Sequence, residues 1–139
     1  MVLSCIDPRF QSLVNDYLKK KKLDEKYSAF TIAGAAIGVT NNKFKEWHNT
    51  FYENLATSIK LHKIKKLIVI NHKDCGAAKI VKGKKFLNLQ DEKKIHLESF
   101  LKLRSQKNQG GAYRPFFLKL RVKKTKGYII QILQYYGAV

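Results

Sequence analysis

The chain contains 139 residues, of which 45% are hydrophobic and 12% aromatic, so it is apolar enough to form a packed core and is not a disordered segment. Its formal net charge of +18 comes from 28 lysine and arginine residues against 10 acidic ones. No apolar run approaches the ~20 residues of a transmembrane helix, and no signal-peptide pattern opens the chain. We therefore expect a soluble, cytoplasmic protein without a membrane partner.

The first five residues predict a short buried strand that ends at Cys5, and a turn follows it. Pro8 suits the first turn of a helix because its missing N–H would have no partner there, and Asp7 is placed to cap that turn. Apolar residues then recur at helical spacing: Phe10, Leu13, Val14, Tyr17 and Leu18. The lysines at positions 19–22 favour a helix end, where positive charge is stabilising.

Residues 30–33 predict a second short strand that runs into a segment of small residues, 34–38. Ala33 and Gly34 allow close approach of the backbone, which favours either tight packing against a helix or contact with a ligand. A long helix is predicted from Lys43 to His62 because apolar and aromatic residues form one stripe along it. One of the two asparagines just before it is the expected cap.

A third strand is predicted over residues 66–71, because residues 67–70 form a run of branched apolar side chains. His72 and Cys75 follow it, three positions apart. A short helix is predicted after them, over residues 76–81. The strand therefore ends at a turn that carries two metal-ligating side chains.

An amphipathic helix is predicted from Asp91 to Lys107. His96 falls beside the apolar rows of this helix, so we expect it to be solvated. A glycine pair at 110–111 ends the helical pattern. Two further strands are predicted after the glycines, over residues 116–122 and 128–133.

The segment from Arg114 to Lys126 carries six basic residues and no acidic one. It is either the exposed edge of a hairpin, protected from pairing by its charge, or a patch for an anionic partner such as nucleic acid. Most basic residues of the chain are lysines and no nucleic-acid-binding motif is present, so we favour the first interpretation. A non-catalytic, basic nucleic-acid-binding protein stays open as an alternative.

The order of strands and helices predicts an α/β fold with a mostly parallel central sheet flanked by helices. We expect one domain over residues 1–139, in which residues 110–139 form basic C-terminal strands or a tail. Right-handed crossovers place the C-terminal ends of parallel strands at one edge of the sheet, where such sheets bind ligands. Cys5, His72 and Cys75 all follow strands, so we expect them to meet at this edge.

Two cysteines and a histidine at one edge of a sheet form a candidate metal site. Cys5, His72 and Cys75 offer two thiolates and one imidazole, a set that favours Zn²⁺ over other common ions. Three protein ligands leave the fourth position open, which is typical of catalytic rather than structural zinc. The alternative without a metal is a disulfide or a pair of buried thiols.

Asp7 and Arg9 follow Cys5 closely enough to reach the same site. Asp7 is the nearest candidate for a fourth ligand, and a bidentate pair with Arg9 would hold its carboxylate away from the metal. Two thiolates cancel the charge of zinc, so a bound water is acidified less than at a three-histidine site. We expect Asp7, oriented by Arg9, to accept a hydrogen bond from the resulting hydroxide and to aim it at a small electrophile.

These residues resemble the signature of the beta-class carbonic anhydrases. Residues 5–9, Cys-Ile-Asp-Pro-Arg, match that family's Cys-x-Asp-x-Arg. Residues 72–76, His-Lys-Asp-Cys-Gly, match its His-x-x-Cys-Gly. The order and spacing of the elements agree over residues 1–105, so the resemblance implies a beta-carbonic-anhydrase-like fold.

The resemblance also implies a zinc site and an activity. It implies zinc on Cys5, His72 and Cys75, with Asp7 and Arg9 as the catalytic pair. The implied enzyme is a zinc lyase that catalyses the reversible hydration of carbon dioxide to bicarbonate by a zinc-bound hydroxide. It further implies a homodimer or a dimer of dimers.

Three small residues at the strand ends, Ala33, Gly34 and Gly76, are the candidate substrate contacts. The family's Arg-Asn-Ala-Gly segment appears here as Thr31-Ile32-Ala33-Gly34, so two polar residues of that segment are replaced. The pocket walls, rather than the metal ligands, distinguish carbon dioxide from its analogues. An alternative function is therefore the hydrolysis of carbon disulfide or carbonyl sulfide at the same site.

Overall fold

The computed structural model describes residues 1–105, 117–125 and 128–135, the last two ranges by their backbone. The strands are β1 (Val2–Ser4), β2 (Ala29–Thr31), β3 (Lys66–His72), β4 (Phe117–Thr125) and β5 (Tyr128–Tyr135). The helices are α1 (Gln11–Lys20), α2 (His48–His62), α3 (Gly76–Lys82) and α4 (Leu89–Ser105). Two 3₁₀ turns, Pro8–Phe10 and Asn42–Trp47, precede α1 and α2.

The strands form one sheet in the order β2-β1-β3-β5-β4. β1 pairs in parallel with both β2 and β3, while β5 is antiparallel to both β3 and β4. Because β5 alone is reversed, the other four strands run in one direction. The predicted α/β fold with a mostly parallel sheet is therefore confirmed. The predicted C-terminal hairpin forms, and β4 is an outer strand of the described sheet.

Helices cover both faces of this sheet. Successive side chains of a strand point to opposite faces, so an apolar strand presents side chains for burial on both. On one face Leu3, Leu67 and Val69 belong to a core cluster with residues of α2, α3 and α4. On the other face Val2, Ile68 and Ile70 belong to a second cluster with two residues of α1. The helix residues of the first cluster are Phe51, Leu55, Ile59, Ala77, Ala78, Ile95, Phe100 and Leu103. Those of the second cluster are Val14 and Leu18.

The prediction of one continuous helix from Lys43 to His62 is wrong at its start. A 3₁₀ turn occupies Asn42–Trp47, and Phe44 has the non-helical dihedrals φ −119° and ψ 26°. In 3₁₀ geometry side chains three positions apart lie over one another. The rings of Phe44, where the dihedrals are irregular, and Trp47 stack with centroids 4.6 Å apart. Asn41 caps the turn, because its Oδ1 accepts a hydrogen bond from the Lys43 amide.

The helix predicted over residues 76–81 forms with one residue more, and α1 begins only after the 3₁₀ turn at Pro8. The helix predicted from Asp91 begins two residues earlier, at Leu89, and its predicted end at Lys107 lies outside the described residues. In the part of the chain that the structure describes, no helix is long and apolar enough to cross a membrane. The predicted breaks at Gly110 and Gly111, and Arg114 at the start of the basic segment, lie outside the described residues.

Candidate metal centre

The register of β1 against β3 brings the predicted ligands together. Ser4 is the last residue of β1 and pairs with Ile70, so the chain leaves the sheet beside the last residues of β3. Cys5 therefore lies next to His72, and Cys75 follows at the start of α3. One ligand atom from each of these three residues lies within 4.8 Å of the others, and all three side chains are buried.

The imidazole of His72 is oriented as a metal ligand would be. Its Nδ1 lies 2.8 Å from the carbonyl oxygen of Lys73. A carbonyl only accepts, so Nδ1 carries the proton and Nε2 keeps a free lone pair. Nε2 is buried and has no hydrogen-bond partner among the described residues. A buried lone pair beside two thiols fits a metal ion, and the ring of Phe10 holds the imidazole in place by stacking on it at 4.1 Å.

The two thiols behave as a pair that shares a proton. The neighbouring Cys75 thiol holds the pKa of Cys5 well below its usual range despite burial. The same contact, together with burial, raises the pKa of Cys75. The backbone amide of Gly34 also donates to Sγ of Cys5, at 3.2 Å. A divalent cation would replace the shared proton and allow both sulfurs to ionise.

The carboxylate of Asp7 is held by Arg9 in the bidentate geometry that the sequence predicts. Nε of Arg9 lies 3.0 Å from Oδ1 of Asp7, and Nη2 lies 2.7 Å from Oδ2. These hydrogen bonds lower the pKa of Asp7 to about 2. Oδ2 of Asp7 lies 3.8 Å from Nε2 of His72. The ionised carboxylate therefore lies beside the ligand atoms while both of its oxygens are bound to the guanidinium.

Arg9 has a second carboxylate partner, Asp74, which sequence reasoning did not identify. Nη1 of Arg9 lies 2.8 Å from Oδ2 of Asp74, and Nη2 donates to the Asp74 carbonyl at 3.1 Å. Lys79 forms an ion pair with the same carboxylate. Asp74 lies in the loop between His72 and Cys75, and its backbone is left-handed, with φ +56°. The sequence holds no signal for this contact, because it joins residues that only the sheet brings together.

The three candidate substrate contacts lie in different settings. Gly34 has φ +76°, and a Cβ at this position would lie 2.6 Å from Cβ of Ala77. It therefore packs closely against Ala77. Gly76 is exposed and Ala33 is half-buried. Their assignment as substrate contacts stays a prediction.

Sequence reasoning missed three buried polar residues behind the ligands: Asn71, Glu92 and His96. His96 was expected to be solvated, and that prediction is wrong because only 1% of the residue is exposed. The apolar stripe of α4 is wide enough to take in residues beside Ile95 and Phe100. The sequence shows that Glu92 and His96 lie one turn apart on the same side of an amphipathic helix, but this spacing does not indicate burial.

Comparisons with known proteins agree with this centre. A family model described as "Putative carbonic anhydrase" matches residues 1–104. An uncharacterized protein of Rickettsia conorii is 27% identical over 92 residues, which is 66% of this chain and 50% of the relative. An uncharacterized protein of Rickettsia bellii is 26% identical over 105 residues, which is 75% of this chain and 64% of the relative. The chain thus spans half to two thirds of the length of these relatives. No solved structure matches it significantly.

The match to the family covers more than half of the chain. It includes the three residues of the metal cluster as well as the pair of Asp7 and Arg9. The chain therefore belongs to the family described as "Putative carbonic anhydrase".

Proposed function

We propose that this protein is a zinc lyase that interconverts carbon dioxide and bicarbonate. The observation that carries the proposal is the buried cluster of Cys5, His72 and Cys75, in which Nε2 of His72 has no partner among the described residues. Two thiolates and one neutral imidazole suit zinc, and three ligands leave a fourth position for chemistry. Membership of the carbonic anhydrase family supports the same reaction.

Zinc bound by these three residues would supply a Lewis acid that makes water a nucleophile near neutral pH. Asp7 is ionised and therefore only accepts hydrogen bonds. Its Oδ2 lies beside Nε2 of His72 and is placed to accept a hydrogen bond from a water molecule at the centre. This hydrogen bond would fix the direction of the lone pair on the water oxygen. Hydration of carbon dioxide consumes one water and yields bicarbonate and one proton, so the site must also release a proton to solvent.

Arg9 keeps Asp7 available for this role. It binds both carboxylate oxygens, so the carboxylate is held in one orientation and is compensated in charge. Its remaining nitrogen binds Asp74 in the loop that carries the other two ligands. Arg9 thereby joins the loop after β1 to the loop after β3. A carboxylate without this clamp would be free to turn and to occupy the fourth metal position.

The decisive experiment measures zinc content and carbon dioxide hydration on the same preparation. We expect about one zinc per chain, and hydration that is abolished in Cys75→Ser because one thiolate ligand is lost. Stoichiometric zinc without hydration at any pH between about 6 and 9 would refute the lyase assignment. Carbonyl sulfide and carbon disulfide should be assayed in parallel, since turnover of these alone would identify the analogue hydrolase.

The expected homodimer, or dimer of dimers, and the cytoplasmic location stay predictions. Sedimentation of the zinc-loaded protein would test the first of these.

A further inference from the structure

Three buried polar side chains lie behind the metal ligands and have no part in the reaction described above. Asn71, Glu92 and His96 are 1%, 7% and 1% exposed, and they belong to the end of β3 and to α4. Buried polar groups destabilise a core unless they are hydrogen-bonded. The contacts of these three residues indicate what they hold in place.

The contacts of Asn71 determine which ring nitrogen of His96 carries the proton. Oδ1 of Asn71 accepts a hydrogen bond from the Ala36 amide at 3.3 Å, so Nδ2 is the end of the side chain that donates. Nδ2 donates to the Gly34 carbonyl and to Nδ1 of His96, each at 3.0 Å. Nδ1 must therefore accept. The proton of the neutral His96 ring then lies on Nε2.

The other side of the His96 ring faces Glu92. Nε2 of His96 lies 3.9 Å from Oε1 of Glu92 and has no hydrogen-bond partner among the described residues. The same Oε1 accepts a hydrogen bond from the backbone amide of Cys75 at 3.1 Å. One carboxylate oxygen of α4 thus accepts a hydrogen bond from the backbone of a predicted metal ligand, and it lies near Nε2 of the histidine one turn away without a hydrogen bond to it.

The remaining two ligands are tied to the same group. Gly34 donates its amide to Sγ of Cys5, and its carbonyl accepts from Asn71. His72 directly follows Asn71 in the chain. Each of the three ligands is therefore linked, through one or two hydrogen bonds or a peptide bond, to the buried group of Asn71, Glu92 and His96.

We propose that two residues of α4 are positioning residues that set the geometry of the metal centre: Glu92 acts through the Cys75 amide, and His96 acts through Asn71. This inference rests on the proposed metal centre but not on the identity of the substrate. The group holds the backbone of the ligands at their metal-binding spacing before the metal arrives. Loss of hydrogen-bonded residues of this kind costs about 10- to 100-fold in metal affinity in other proteins.

The test compares Zn²⁺ affinity, by competition with a chromophoric chelator, in wild type, Glu92→Ala, Glu92→Gln and His96→Phe. The absorption spectrum of the Co²⁺-substituted proteins reports ligand geometry independently of activity. Ser99→Ala is the matched control. Ser99 is buried on the same helix, and among the described residues its hydroxyl donates only to the carbonyl of Ile95 within that helix. Thermal unfolding of the metal-free proteins separates positioning from loss of fold.

We expect Glu92→Ala and His96→Phe to weaken zinc binding by about 10- to 100-fold and to change the cobalt spectrum. Glu92→Gln keeps an oxygen that accepts from the Cys75 amide, so it should retain most of the affinity. Ser99→Ala should bind zinc as wild type does, even if it is less stable.

Wild-type affinity and an unchanged cobalt spectrum in Glu92→Ala and His96→Phe would overturn the inference. If Glu92→Ala does not fold, His96→Phe decides the question by the same measurements. A wild-type protein that binds zinc but hydrates no carbon dioxide would refute the proposed reaction and leave this inference supported by the affinity ranking. A wild-type protein that binds neither Zn²⁺ nor Co²⁺ would overturn both.

Discussion

Among single residues, Asp7 combines three contacts that explain the close spacing of Cys5, Asp7 and Arg9. Its Oδ1 accepts the amide of Arg9 and so caps the 3₁₀ turn, while the same residue binds the Arg9 side chain in a fork. A cap residue necessarily lies beside the residue two positions later. The turn therefore places the guanidinium over the carboxylate without help from the rest of the fold.

Replacement of this guanidinium tests its role. In Arg9→Ala we expect zinc to remain at its wild-type content, since none of the three ligands is changed. Hydration should fall by about 100-fold or more because the carboxylate is no longer oriented. Metal analysis and stopped-flow hydration measure the two quantities. Arg104→Ala, an exposed arginine near the end of α4, controls for the loss of one positive charge.

Loss of zinc from Arg9→Ala, with zinc retained in Arg104→Ala, would contradict this role. Full hydration activity in Arg9→Ala would contradict it as well.

Among the elements, the parallel pairing of β1 with β3 determines where the ligands meet. Leu3 pairs with Val69 and Ser4 with Ile70, so both strands end at the same edge. A one-residue slip in this register would turn the side chain of Cys5 to the opposite face of the sheet. The close packing of Gly34 against Ala77 then holds the loop after β2 over the same edge.

Three glycines make this packing testable. Gly34 has both a positive φ and a close neighbour, Gly83 has φ +69° and open space, and Gly76 has open space without a positive φ. Substitution by alanine should reduce the free energy of unfolding by about 3 kcal/mol at Gly34, where strain and overpacking add. The reduction should be about 1 kcal/mol at Gly83 and close to zero at Gly76.

Urea denaturation of the metal-free variants gives this ranking directly. Equal stability of Gly34→Ala and Gly76→Ala would show that the packing against Ala77 is not required.

For the whole molecule, the candidate metal centre joins segments that are distant in the chain. Cys5 and Cys75 are separated in the chain by α1, β2, α2 and β3, and each belongs to the core cluster that includes Leu3. A metal that binds only the folded state stabilises it by mass action. The high positive charge acts in the opposite direction, because like charges repel in the compact state.

Removal of the metal should therefore lower stability. At a free zinc concentration 100 times its dissociation constant, the free energy of unfolding should exceed that of the chelated protein by about 2.7 kcal/mol. Thermal unfolding across a series of free zinc concentrations measures this dependence. Cys75→Ser is the control, and its unfolding should depend much less on zinc. The same zinc dependence in both proteins would show that the ligands lie elsewhere.

The sequence by itself determined the residues that form the centre and the local structure that presents them. Branched apolar runs predict β1 and β3, and Asp7 with Pro8 predicts the turn, because these features depend on neighbours in the chain. The predicted metal ligands follow from residue type together with the rule that parallel strands end at one edge.

Only the tertiary structure decided which side chains support that centre. Arg9 reaches Asp74, and Glu92 reaches the amide of Cys75, across 65 and 17 residues of chain. The apolar spacing of α4 likewise did not predict the burial of His96, since a histidine beside an apolar stripe can face either solvent or the core. Such contacts depend on strand register and on the packing of a helix against the sheet, which no local pattern specifies.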